Sequence, residues 1–139
     1  MTPLVVDESI AIKWLPPEVH SAAARRVLRE DNDLLAPDLL WAELGNVLWK
    51  RCRAGEIGAE DAGDLLRDLR RLPIGIIPSI FLVGAALDLA MRFNRTVSDS
   101  LYPALAMGRG CRIITANRHP YAALRRGPLA PALLWVGDV

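Results

Sequence analysis

The apolar run Leu4-Val5-Val6, and the change of spacing immediately after it, constrain the fold more than any other stretch. Two consecutive β-branched residues behind Leu4 predict a short, fully buried strand. From Ser9 onward the apolar residues Ile10 and Trp14 fall four apart, the spacing of one helical turn. Asp7 therefore stands where a strand ends and a helix begins. In open α/β sheets ligands bind at the carboxyl ends of the strands, which makes Asp7 a candidate site residue. An acidic side chain favoured by the helix dipole explains the same residue without a ligand.

The alternation continues along the chain. Pro16-Pro17 stops the first helix, and residues 18–31 predict another, with Ala22, Ala23, Ala24, Val27 and Leu28 inward and Arg25, Arg26 and Arg29 outward. Leu34-Leu35-Ala36 reads as a second strand, ended by Pro37. The order strand, helix, helix, strand points to a crossover connection and a parallel sheet. A helix over 38–53 carries Leu40, Leu44, Val47 and Leu48 on its core stripe, with Glu43 on the same face. A carboxylate there is costly unless an arginine, a hydrogen-bond network or a cation shared with Asp7 compensates it.

Residues 56–72 predict an amphipathic helix, with Leu65, Leu66, Leu69 and Leu72 inward and the run Arg67, Asp68, Arg70 and Arg71 solvated. Ile74 to Ile77 predicts a third strand. Ser79 is expected to cap a helix reaching Asn94, with Ile80, Val83, Leu87 and Met91 as its buried stripe. Ser98 is expected to cap the next helix, with Asp99 in its first turn. Pro103 then falls in the fifth helical position, which calls for a later start or a kink. Cys111 to Thr115 predicts a fourth strand that delivers Asn117 and Arg118 at its carboxyl end, and Leu133 to Val136 a fifth. The whole pattern predicts one α/β domain over 1–139, a three-layer α/β/α fold around a central, mainly parallel five-stranded sheet.

Composition excludes several alternatives. A chain of 139 residues, 52% hydrophobic, can bury a core without metal or disulfide staples. No apolar run approaches the roughly 20 residues of a membrane span, and the start lacks a signal-peptide pattern, so a cytoplasmic location is expected. Cys52 and Cys111 form no CxxC pair and are expected to be buried thiols. His20 and His119 are too few for a His-rich metal site or a Ser/His/Asp triad. The net charge of +1 advertises no nucleic acid, although 15 of the 17 basic residues are arginine, whose forks bind phosphate. Carboxylate chemistry remains, carried by Asp7, Glu43 and Asp99. Right-handed crossovers would bring the ends of strands one and four to the same sheet edge, making Asp7 and Asn117 neighbours. Such oxygen donors suit Mg²⁺ or Mn²⁺, which keep waters for phosphate oxygens to replace.

The segments VVDESIAIKWL, PDLLWAELGNVLWKR, SDSLYPALA and IITANRHPY, in this order and at these distances, resemble the four motifs of the PIN domain, particularly in the VapC toxins of prokaryotic toxin–antitoxin pairs. The resemblance spans nearly the whole chain, and the ordered set is more specific than any one motif. It implies a metal-dependent endoribonuclease with a PIN-like fold, using Mg²⁺ or Mn²⁺ and leaving 5′-phosphate and 3′-hydroxyl ends. It also implies a homodimer held inactive by a cognate VapB-like antitoxin. Asp7, Glu43 and Asp99 match the family's acidic metal site, Ser9 a hydroxyl residue that supports the first aspartate, and Thr115 the polar residue ending the fourth strand. Asn117 stands where the family often has a fourth aspartate. An amide brings no negative charge, so one well-bound metal and a weaker second site are expected.

Lys13 and Arg118 are the nearest candidates in sequence for contact with RNA phosphates, an ordinary surface or salt-bridging role being the plain alternative. The helices holding Trp14, and Trp41 with Trp49, are candidate partner faces. Two competing readings are a catalytically impaired PIN-fold interaction module and a receiver or phosphatase-like α/β domain. The latter usually needs a lysine late in the chain, whereas the only lysines are Lys13 and Lys50.

Overall fold

The computed structural model describes residues 2–14, 21–29, 31–116 and 133–135; Asn117 and Arg118 lie outside them. Five strands form one parallel sheet in the order β3-β2-β1-β4-β5. They are β1 (Thr2–Val6), β2 (Asn32–Pro37), β3 (Ile74–Ile77), β4 (Arg112–Thr115) and β5 (Leu133–Trp135). The central strand β1 sets Val5 opposite Leu35 of β2 and Val6 opposite Ile114 of β4.

Burial follows the pleat. Leu4, Val6, Leu34, Ala36 and Ile114 belong to one core layer, whereas Val5, Leu35 and Ile113 belong to the other. Strands that are apolar on both faces need helices on both faces. The first layer holds α1 (Glu8–Ala11, continued by a 3-10 turn over Ile12–Trp14), α2 (Ser21–Arg29), α3 (Leu39–Arg53) and α4 (Ala59–Arg70). The second holds α5 (Val83–Phe93) and α6 (Val97–Arg109), with α6 packed on β1, β2 and β4. Val6, Ile10, Leu40, Leu44 and Ile114 are completely enclosed, each contributing about 1.5–3 kcal/mol relative to exposure.

From β1 the chain steps outward to β2 and β3 with its helices on one face, then returns to place β4 on the other side of β1 with α5 and α6 on the opposite face. Connections of constant hand must change face where the strand order reverses. That reversal, between β1 and β4, is the place where open α/β sheets bind their ligands, at the carboxyl ends of the strands.

Several local expectations change. Along α5 and the turn that leads into it, Ile80, Val83, Leu87 and Met91 are exposed rather than buried, at 73%, 43%, 46% and 75%, and the core face is Leu82, Ala86, Leu89 and Ala90. Alanines let α5 approach α6 closely, so the larger residues are left outside. Ser79 opens a 3-10 turn (Ser79–Phe81) instead of capping α5, and its N–H donates to Asp38 Oδ2 at 3.1 Å. Thr96, not Ser98, caps α6, its Oγ1 accepting the Asp99 N–H at 3.0 Å. The helix thus begins earlier than expected, with Pro103 inside it, so the Asp99 carbonyl loses its i+4 donor. Cys52 and Cys111 are free and only half-buried, and burial pushes the Cys111 thiol up. Trp14 is core, whereas Trp49 is 52% exposed. Among the described residues no helix is long and apolar enough to cross a membrane.

Candidate functional site

The residue after β1 caps a helix. Asp7 is extended (φ −101°, ψ 179°), and its Oδ1 accepts the N–H groups of Ser9 at 3.1 Å and Ile10 at 3.3 Å. These are donors that the first turn of α1 would otherwise leave unpaired. Ser9 Oγ donates to the same oxygen at 2.5 Å, and Thr115 Oγ1, from the end of β4, donates to Oδ2 at 2.6 Å. The Ala116 N–H donates to Ser9 Oγ at 2.9 Å and ties the exit of β4 to α1. The two hydroxyls lie 3.3 Å apart. Each has one hydrogen, already given to the carboxylate, so this contact marks their convergence on Asp7 rather than a further bond. Asp7, Ser9 and Thr115 thus meet at the point where β1 and β4 part.

Burial pushes the Asp7 carboxyl up; the hydrogen bonds from Ser9, Thr115 and Ile10 pull it down without cancelling that effect. Glu43, half-buried on α3, is raised first by burial and then by the charges of Asp7 and Asp99. The Tyr102 hydroxyl donates to Glu43 Oε1 and acts in the opposite sense. Asp99 is exposed in the first turn of α6, its backbone fixed by the Thr96 cap. Lys13 is half-buried; burial lowers its pKa, and the nearby charge of Arg51 adds to the effect.

Two side chains join this cluster that the sequence reading left out. Glu8 is pushed up to about 8, first by burial and then by the charges of Asp7, Glu43 and Asp99. Its signal was its position directly after Asp7. Tyr102 is buried, and burial followed by the charge of Glu43 keeps its hydroxyl protonated. Its signal was the spacing of three from Asp99, which puts both on one face of α6.

Carboxylates in mutual electrostatic reach are the donor set of a hard divalent cation, in charge and in donor atom. Asp7, Glu8, Glu43 and Asp99 fit such an ion in chemistry. They do not close on one point: among the described residues no three acidic, His or Cys side chains converge in ligating geometry. Beside Glu43, a groove of about 500 Å³ runs along α3, lined by Ala42, Gly45, Asn46 and Trp49. The Arg53 guanidinium sits over the Trp49 ring, 5.1 Å from its centroid.

Comparison with known proteins agrees with this architecture. Ribonuclease VapC3 of Pyrobaculum aerophilum is 31% identical over 117 residues, 83% of this chain and 89% of that protein. The crystal structure of PAE2754 from Pyrobaculum aerophilum superposes with a TM-score of 0.71 at 19% identity, covering 98% of this chain and 90% of the other. A toxin–antitoxin complex from Klebsiella pneumoniae gives a TM-score of 0.64 at 13% identity, covering 98% and 99%. The PIN domain family matches residues 4–126. The chain therefore belongs to the PIN domain family, as a relative of the VapC ribonucleases.

Proposed function

We propose that the chain is a metal-dependent endoribonuclease, the toxin of a type II toxin–antitoxin pair, acting in the cytoplasm at the acidic crevice between β1 and β4. The observation that carries this reading is Asp7, a carboxylate at the switch point of a PIN-family sheet, held by backbone and hydroxyl donors and within electrostatic reach of Glu43, which Asp99 reaches in turn. The name of its relative, Ribonuclease VapC3, and the toxin–antitoxin complex among its structural neighbours support the same reading.

In this mechanism Asp7, Glu43 and Asp99 are the residues that would hold Mg²⁺ or Mn²⁺, and the ion would supply Lewis-acid chemistry towards water and the scissile phosphate. Ser9 and Thr115 keep the Asp7 carboxylate from rotating: Oδ1 takes three donors and Oδ2 one, which leaves Oδ2 as the atom that would face a cation. Asn117 adds an amide oxygen without charge, so a second cation is held less firmly. Lys13 and Arg118 meet the phosphates that flank the cleaved bond, because an acidic crevice alone repels RNA. A VapB-like antitoxin keeps the enzyme silent.

The functional unit in this reading is a homodimer built on the outer face of α5. Val83, Leu87 and Met91 are exposed on that helix, and Ile80 and Phe81 in the 3-10 turn just before it.

Cleavage of mixed RNA in Mn²⁺ by the native chain and by Asp7→Asn tests the enzyme reading. The variant is expected to be slower by about a hundredfold or more. Equal rates in two folded proteins would reject the nuclease and leave a PIN-fold interaction module.

A further inference from the structure

We infer that Tyr102 is the positioning residue for Glu43, a role that rests on the proposed metal-dependent site and adds a residue from α6 to it. The Tyr102 hydroxyl donates to Glu43 Oε1 across a sequence separation of 59. Glu43 belongs to α3, in the first helical layer, and Tyr102 to α6, in the second. The bond therefore joins the two layers on either side of the sheet.

A tyrosine used only for bulk needs its ring buried and its hydroxyl satisfied by any polar group. This one is aimed at the acidic cluster, its hydroxyl donating to a carboxylate oxygen of Glu43. Among the described residues no other side chain hydrogen-bonds Glu43. A glutamate has three side-chain torsions to fix, and one donor on Oε1 restrains them while Oε2 takes no donor from the described residues. Tyr102 also follows Asp99 by three residues, so one helix face presents an acid and the group that orients another acid. Partners that orient metal-binding carboxylates are worth about 10- to 100-fold in metal affinity.

The test is Mn²⁺ binding to the metal-free full chain, by calorimetry, in the native protein, Tyr102→Phe, Glu43→Gln and the double variant. Loss of orientation predicts about tenfold weaker binding in Tyr102→Phe and no further loss when it is added to Glu43→Gln, because the two residues act as one unit. Unchanged or tighter binding in Tyr102→Phe, or equal losses in both backgrounds, overturns the inference. A second readout needs no metal. The chain has two tyrosines, Tyr102 and Tyr121, so a Tyr121→Phe background isolates the Tyr102 Raman doublet, which reports hydroxyl donation. Glu43→Ala in that background should shift the doublet away from the strong-donor form. If no variant binds Mn²⁺, the metal reading fails, and the doublet decides: a shift supports Tyr102 as the partner of Glu43, and none overturns it.

Discussion

Asp7 and Glu8 are adjacent in sequence and opposite in treatment. Asp7 is met by two hydroxyls and two backbone N–H groups, whereas the neighbours that dominate Glu8 are the carboxylates of Asp7, Glu43 and Asp99. In the unfolded chain Glu8 titrates near the usual 4.5; in the folded, metal-free protein it is pushed up to about 8. Between those values the folded state holds a proton that the unfolded state has released. Stability therefore falls as pH rises through that window. The raised carboxyls of Asp7 and Glu43 act in the same direction. Thermal melts in EDTA are expected to give a lower Tm at pH 8 than at pH 5.5, with a flatter profile for Glu8→Gln; a Tm that rises with pH would contradict the assignment. The first aspartate was legible in the sequence from the change of spacing after β1, and Ser9 and Thr115 only through the resemblance to the PIN motifs. Glu8 and Tyr102 were not, since their roles arise only when α6 and α3 pack around the same crevice.

At the scale of elements, α6 shows how a cap serves a site. Thr96 Oγ1 accepts the Asp99 N–H, so the residue that starts the helix also fixes the backbone of an acidic side chain. Thr96→Ala is expected to cost about 1 kcal/mol, read from chemical denaturation, and to weaken RNA cleavage by more than that loss of folded protein explains. Stability lowered with activity per folded molecule unchanged would separate cap from site. The elements were legible from periodicity, and the order of strands and helices held throughout. The orientation of α5 was not, because hydropathy identifies an apolar face without identifying what covers it. Here the covered face is the one with alanines, Ala86 and Ala90, and the bulky stripe is left to solvent.

For the whole molecule, the exposed stripe and the crevice belong to different surfaces of one plan. If two copies join through α5, Phe81→Asp with Met91→Asp should yield a folded monomer by light scattering at concentrations where the native chain is a dimer. A native chain that is already monomeric, or a variant that stays dimeric, would reject this interface. The strand order 3-2-1-4-5 also has a temporal side. Asp7 and the hydroxyl that completes its environment, on Thr115, are 108 residues apart. At ~5–20 residues per second of synthesis, roughly 5–20 seconds separate their emergence from the ribosome. Throughout that interval the central strand has one edge unmatched and its carboxylate lacks Thr115, so the surroundings of Asp7 stay incomplete until β4 arrives.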